Sequence, residues 1–435
     1  MIINMCVCNI NLKKPYNRNG DSVKCIKIKK SRVRGEVNID GSKNSALPII
    51  CASLLNEGIT KLENVPNIKD INELLGIIDF LGCNINLKNN TLILKPHLEN
   101  KDILHESCKD FRASYYLMGV YLALFNHVKI YLPGGCRIGK RPIDFHLAGF
   151  EKMGATYQII DDYIDIKMDH PHSAKITLPK KSLGATVNLS LVAAKLDGIT
   201  VIENISLEPE VLDFISFLTS LGINIIRKKD TLYIKGQKQI LKNVCYSIIP
   251  DRIEASTYIS LGLLTDGIKI NNINPNHLKN ILVPLINNGA DIKVTNDTII
   301  VGKSQINGFN IISSEYPALS TDIFPVLIPI MAHCKGLSTI TETIYENRFM
   351  VCDELKKLGV DIEVTGNKCT IKGLIDTKNI TACATDLRCA AALVLYAISA
   401  KKDIVIENID VIERGYAHIY DKLKKLHVKF KVYEK

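Results

Sequence analysis

The sequence predicts an α/β fold in two domains, each an inside-out barrel (an α/β prism) of three repeated units with helices packed inside and sheets outside. Three observations predict it. At 435 residues the chain is too long for one ordinary core, so two or three domains are expected. A short phrase recurs about every 70 residues: "FLGCNI" (80–85), "KMGATY" (152–157), "SLGINI" (220–225), "NNGADI" (287–292), "KLGVDI" (357–362) and, degenerate, "KLHVKF" (425–430). Each copy leads into alternating strands such as "DTLYIKG" (230–236) and "DTIIVGK" (297–303), whose period of two buries one face.

Upstream of the phrase the units also agree. Each opens on a polar or charged cap and runs into an apolar helix: "GSKNSALPIICASLL", "FRASYYLMGVYLALF", "LGATVNLSLVAAKL", "PDRIEASTYISLGLL", "STDIFPVLIPIMAH" and "TDLRCAAALVLYAISA". A strand follows, as in "GITKLENVP" (58–66) and "GITVIENIS" (198–206). Next comes a second helix with apolar residues at helical spacing, such as "IKDINELLGIIDFLG". The unit is thus helix–strand–helix–strand–strand.

Composition narrows the function. Apolar residues make up 46% and charged residues 23%, as in globular proteins. The longest apolar runs, such as "YYLMGVYLALF" (115–125), fall short of the ~20 residues that span a bilayer, and no signal peptide stands at the start. Thirteen cysteines are scattered without a C-x-x-C pair, which fits a reducing cytosol. Cys6 and Cys8 lack a second ligand pair, and His170 and His172 read as a loop pair, so no metal site is expected. The net charge of +10 suits nucleic acid or a strongly anionic small substrate. With no tryptophan, 6% aromatics and no nucleic-acid-binding signature, the small anion is the expectation.

Chemistry gathers at the helix starts. Beside the first-helix N-termini lie Lys43, Arg112, Ser182, Arg252, Asp322 and Arg388. If the units are arranged alike, these ends converge on one cleft, where free backbone N–H groups favour an anion. A cation at a helix N-terminus is electrostatically unfavourable, so Lys43, Arg112, Arg252 and Arg388 call for an anionic partner. Asp322, after Ser320 and Thr321, is either a cap or a functional carboxylate. A second feature is "LPGGCRIGKRP" (132–142). Cys136 follows Gly134 and Gly135 and is surrounded by Arg137, Lys140 and Arg141, which favour its thiolate. The glycines permit a large movement, as in a lid over bound substrate.

In order along the chain, "GSKNSALP", "FRAS", "PGGCRIGKRPIDFH", "LEPEVLD", "PDRIEA", "ENRFM", "ATDLR" and "ERGY" resemble the UDP-N-acetylglucosamine enolpyruvyl transferase family, from about residue 25 to the C-terminus. The resemblance implies transfer of the enolpyruvyl group of phosphoenolpyruvate to the 3-hydroxyl of UDP-N-acetylglucosamine with release of phosphate. That is the first committed step of peptidoglycan synthesis, in the cytoplasm and without a cofactor. It makes Cys136 the acid that protonates the enol and Asp322 the base or hydroxyl-positioning carboxylate. Lys43, Arg141 and Arg414 match residues holding the phosphate and carboxylate of phosphoenolpyruvate, with Arg348 and Arg388 beside them and Asn44 in the same first motif. Arg112, the run Arg141, Pro142, Ile143, Asp144 and Phe145, the run Lys180, Lys181, Ser182 and Leu183, and Ile344 match contacts to the nucleotide sugar. It also implies one domain of 43–249 and another combining 25–42 with 250–435, after a disordered extension of 1–24. Ser320 and Phe324 depart from the proline and glutamine usual around "TD", and Glu413 and Ala417 depart around Arg414. The related 5-enolpyruvylshikimate-3-phosphate synthases instead carry "GDKS" and "GNAGT" motifs, absent here.

The resemblance further implies that the epoxide phosphonate fosfomycin alkylates Cys136. Brief exposure with UDP-N-acetylglucosamine present should label Cys136 first among the thirteen cysteines, as read by peptide mass mapping. Equal labelling of several cysteines would make the loop structural.

Overall fold

The computed structural model describes residues 22–132, 142–376 and 379–435. Six pairs of helices carry the repeat. They are α1 (Lys43–Ser53) and α2 (Lys69–Phe80), α3 (Tyr116–Phe125) and α4 (Asp144–Lys152), and α5 (Leu183–Ala193) and α6 (Pro209–Ser220). The later pairs are α7 (Arg252–Leu264) and α8 (Lys279–Asn287), α9 (Phe324–His333) and α10 (Met350–Lys357), and α11 (Leu387–Ser399) and α12 (Ile419–Lys425). The first helix of each pair is apolar nearly all round and is buried accordingly; in α7 every residue from Arg252 to Leu263 is buried. The second is amphipathic: α2 buries Ile71, Leu74, Leu75, Ile77 and Ile78 and exposes Asn72 and Asp79.

The recurrent phrase marks where each second helix ends. Gly82, Gly154, Gly222, Gly289 and Gly359 all take φ between 92° and 103°, a conformation costly for any residue with a Cβ, and so they stop the helix and turn the chain into the next strand. His427 takes the same role in the sixth unit at φ 61°. An asparagine at the end of the first strand is a second shared device. Asn64, Asn204, Asn272 and Asn408 have φ of 57–58°. Their side chains donate to the carbonyls of Ile248, Leu178, Ile39 and Ala384.

Those carbonyls belong to a short extra strand, or the residue just after it, that the repeat pattern did not reveal. Strand Lys175–Thr177, for example, pairs parallel with Ile199–Glu203, which pairs antiparallel with Thr231–Lys235 and through it with Asn224–Lys228. Among the described residues five sheets have four strands and one has three, and there Ile103 keeps a single parallel bridge to Ile130. In the sixth sheet the third place is taken by Lys24–Lys29 from the N-terminus, between Ile404–Glu407 and Lys429–Glu434. Val23 and Lys24, expected in the extension, therefore belong to the fold, with Val23 N–H donating to Lys435 O at 2.9 Å. Residues 1–21 lie outside the described residues.

Buried apolar side chains form two clusters, one drawn from 26–39 and 253–428, the other from 46–248 with Ala417. The chain passes between them twice. Glu36–Asn38 pairs with Gly267–Asn271 before the chain enters α1, and Val244–Ser247 pairs with Thr60–Glu63 before it enters α7. The crossings run side by side, with Gly41 bridged to Pro250 and Asp251 N–H donating to Asp40 O at 2.9 Å. They also run close to Asn64: a Cβ on Gly41 would stand 1.7 Å from its carbonyl oxygen. Lys422 of α12 locks the crossing, 2.6 Å from Asp40 and 2.5 Å from Glu254. Burial opposes its charge, but the two carboxylates outweigh burial and raise its pKa. No helix among the described residues is long and apolar enough to cross a membrane.

Lys422→Met should cost about 3–5 kcal/mol in urea unfolding at neutral pH, because it strands buried Glu254 beside half-buried Asp40. A cost under about 1 kcal/mol would mean that the crossing does not depend on this lysine.

Candidate functional site

Asp322 lies two residues ahead of α9, and its carboxylate does not cap that helix. Oδ1 accepts from Nη2 of Arg348 at 2.8 Å and Oδ2 from Nη2 of Arg388 at 3.2 Å. Both guanidinium groups are buried. Arg388 stands in the first turn of α11, where Asp386 caps the helix through the Arg388 and Cys389 N–H groups. Arg348 is further fixed by donation from Nε to Thr321 O at 3.1 Å. Burial alone would raise the Asp322 pKa, but Arg388 and Arg348, with Lys43 farther off, overcome it and hold the carboxyl well below the usual range.

A second carboxylate repeats the arrangement. Asp70, in the first turn of α2, meets Lys43 Nζ at 2.5 Å with Oδ2 and accepts from Arg414 Nε at 2.9 Å with Oδ1. Lys43 opens α1, whereas Arg414 ends the 3₁₀ turn Ile409–Arg414. Burial opposes ionisation of Asp70, yet Lys43 and Arg414 prevail and lower its pKa. The link therefore joins a helix of one apolar cluster to a segment of the other.

Arg252, at the start of α7, is paired as well. Its Nε and Nη2 donate to Glu210 at 2.9 and 3.2 Å, and Nη2 also donates to Glu208 at 2.8 Å. Glu208 stands just before Pro209, the first residue of α6, and Glu210 lies in its first turn, where negative charge suits the helix dipole. Burial pushes the Glu208 carboxyl up to about 7 against the pull of Arg252, with Glu210 and Asp322 adding to the rise.

The remaining helix starts gather around His146. Arg112 lies over the Tyr115 ring at 5.5 Å, and Tyr115 packs edge-on against His146 at 5.2 Å. His146 bonds Asn188 at 3.0 Å, and burial, reinforced by the Arg112 charge, pushes its pKa down to about 3. A Cβ on Gly184, the second residue of α5, would sit 2.5 Å from Tyr115 Oη, so any side chain there would push that ring aside. Asp144 and Phe145 open α4 with Pro142 and Ile143 just before them, and Ser182 caps α5 by accepting from Ala185 N–H. Lys180, Lys181 and Leu183 flank that cap, and Lys181 N–H donates to Glu315 at 3.3 Å. Asn44 follows Lys43 in α1, and Ile344 N–H is held by Glu342. Cys136, Gly134, Gly135, Arg137, Lys140 and Arg141 lie outside the described residues.

Residues 28–423 match the family model of EPSP synthase (3-phosphoshikimate 1-carboxyvinyltransferase). Closer relatives decide the branch. The chain is 38% identical to a UDP-N-acetylglucosamine 1-carboxyvinyltransferase of Clostridium botulinum over 90% of its length and 95% of that protein. A Pelagibacter ubique protein of the same name is 38% identical over 92% of the chain and 97% of its own length. The chain belongs to the UDP-N-acetylglucosamine 1-carboxyvinyltransferase family. Its fold is that of solved enolpyruvyl transferases. NikO of Streptomyces tendae superposes with TM-score 0.86 at 21% identity, covering 95% of this chain and all of the other, and EPSP synthase of Acinetobacter baumannii with TM-score 0.74 at 16% identity, covering 94% and all.

Against the family pattern, the four departures are all accommodated. Ser320 Oγ accepts from the Asp322 N–H at 3.4 Å, and buried Phe324 packs on Phe349 with ring centroids 5.5 Å apart. Glu413 pairs with Lys24, and Ala417 is buried in the cluster of 46–248. The charge argument at the helix starts did not reveal the anionic partners that the chain itself supplies. Lys43, Arg252 and Arg388 already have carboxylate partners in the chain. Asp70, Glu208 and Glu210 were missed because an acidic residue in the first turn of a helix is ordinary.

The Asp322 pairing has a signed pH dependence. Its folded pKa is depressed, so the pairing stabilises above the unfolded value of about 4 and fades as pH falls below it. Asp322→Asn should cost about 2 kcal/mol near neutral pH, and the difference from wild type should shrink below about pH 4 in urea unfolding. A gap that does not change with pH would show that the pairing contributes nothing.

Proposed function

We propose that the chain transfers the enolpyruvyl group of phosphoenolpyruvate to the 3-hydroxyl of UDP-N-acetylglucosamine, releasing phosphate, in the cytoplasm at the first committed step of peptidoglycan synthesis. The observation that carries this reading is the collection of Lys43, Arg348, Arg388 and Arg414 around two carboxylates, in a chain 38% identical to proteins named for that reaction. In this reading Lys43, Arg414 and Arg141 receive the phosphate, and Arg348 and Arg388 receive the carboxylate. The nucleotide sugar lies along Asn44, Arg112, Pro142 to Phe145, Lys180 to Leu183 and Ile344.

Proton transfers accompany both the addition and the elimination. Cys136 gives its proton to carbon 3 of the enol while the sugar hydroxyl, losing its proton to Asp322, attacks carbon 2. The tetrahedral adduct then expels phosphate and restores the double bond as carbon 3 returns a proton to the Cys136 thiolate, and the hydroxyl proton passes from Asp322 to the departing phosphate. With both arginines on it Asp322 is a weak base. An anion that engages Arg348 and Arg388 relieves that hold and restores its basicity. The same proposal takes 43–249 as one domain and 25–42 with 250–435 as the other, each an inside-out α/β barrel. The two apolar clusters and the burial of α1, α3, α5, α7, α9 and α11 support it.

Purified protein should release phosphate only with both substrates present. Asp322→Asn should lower that turnover by about 10²–10⁴-fold while still binding the nucleotide sugar. Turnover of shikimate 3-phosphate in place of the nucleotide sugar would overturn the assignment.

A further inference from the structure

Asp70 has no role in the reading above, yet it touches both cations assigned to the phosphate. Its two oxygens are divided between them, 2.5 Å to Lys43 Nζ and 2.9 Å to Arg414 Nε. Two oxygens bridging two cations is also how a phosphoryl group would sit there. The Asp70 side chain is 6% exposed and that of Lys43 14%, whereas Arg414 is 43% exposed and so is open to an incoming anion. Its position in the first turn of α2 would suit a helix-dipole residue, but both of its oxygens are spent on side chains of other segments. The Asp322 pairs show the same pattern at the neighbouring cations: one carboxylate, one oxygen to each of two arginines. A cavity of about 620 Å³ is lined by Lys69 and Glu73 of α2 and by Glu413, His418 and Tyr420, the chain neighbours of Asp70 and Arg414, though by neither of those two residues nor by Lys43.

We propose that Asp70 is a positioning residue that stands in for phosphate before substrate arrives, holding Lys43 and Arg414 at bidentate spacing until the phosphoryl group takes Arg414 over. The inference rests on the reading of Lys43 and Arg414 as the phosphate-holding pair. Without Asp70 the two cations would repel each other across the gap between the apolar clusters. With it they are preset, and an incoming anion must compete for Arg414. The competition weakens anion binding and keeps released phosphate from lingering.

Titration calorimetry of the full chain with inorganic phosphate tests this. Asp70→Asn should bind phosphate about tenfold more tightly, the factor for losing one partly screened like-charge contact near the ligand. Its KM for phosphoenolpyruvate and its kcat should both fall, because Arg414 loses its preset aim and phosphate leaves more slowly. A purely structural brace would weaken phosphate binding when removed, so the direction of the change separates the roles. Asp70→Ser should behave alike and serves if the amide unsettles the fold. Unchanged or weaker phosphate binding in variants that melt like wild type, while wild type still turns over both substrates, would overturn the role of Asp70 alone. A wild-type chain that neither binds phosphate nor turns over would overturn the site reading and this inference together.

Discussion

Like charges brought together inside a protein must be neutralised before they can be useful. Lys43, Arg348, Arg388 and Arg414 are held close to carboxylates by helix starts and a 3₁₀ turn, and Lys43, Arg252 and Arg388 also sit at the positive ends of helices. At an effective dielectric of 20, two unit charges 4 Å apart interact by about 4 kcal/mol, enough to matter against the whole stability of a domain. Asp70 and Asp322 remove that repulsion, and Glu208 and Glu210 do the same for Arg252. Each carboxylate also sets the direction of the side chains it holds. Charge balance and geometry are thus met by the same contacts.

The repeat makes this possible. Each unit uses the same stop glycine or its substitute to turn from helix to strand, and in four units an asparagine fastens the short parallel strand. Similar units place their helix starts in similar ways, so a cation at one start finds neighbours from others. Variation is then confined to what each start carries: Ser182 caps α5, Asp251 caps α7 and accepts from Lys43 N–H at 3.2 Å, and Asp386 caps α11.

Much of the fold was legible because the period of the phrase, the apolar first helices and the amphipathic second helices are all local signals. The extra parallel strand was not, since three or four residues such as Lys175–Thr177 carry too short an alternation to stand out. Nor was the placement of Lys24–Lys29 in the sixth sheet, which depends on partners nearly four hundred residues away. At the site, the cations at the helix starts could be read from charge in an unfavourable position. Their partners could not. Asp70 lies 27 residues beyond Lys43 and 344 before Arg414, and only the tertiary fold brings the three together.

The sixth sheet ties the order of synthesis to the order of assembly. Lys24–Lys29 is made early, but its neighbours Ile404–Glu407 and Lys429–Glu434 are made last. Residues 43–248, by contrast, contain nearly all of their own cluster and can collapse while the rest of the chain is still being made. The N-terminal strand must therefore remain unpaired through most of translation, an exposed edge available to the wrong partner. Its sequence, "KCIKIK", places lysine at 24, 27 and 29 among the buried Cys25, Ile26 and Ile28, and those charges discourage pairing with another waiting copy.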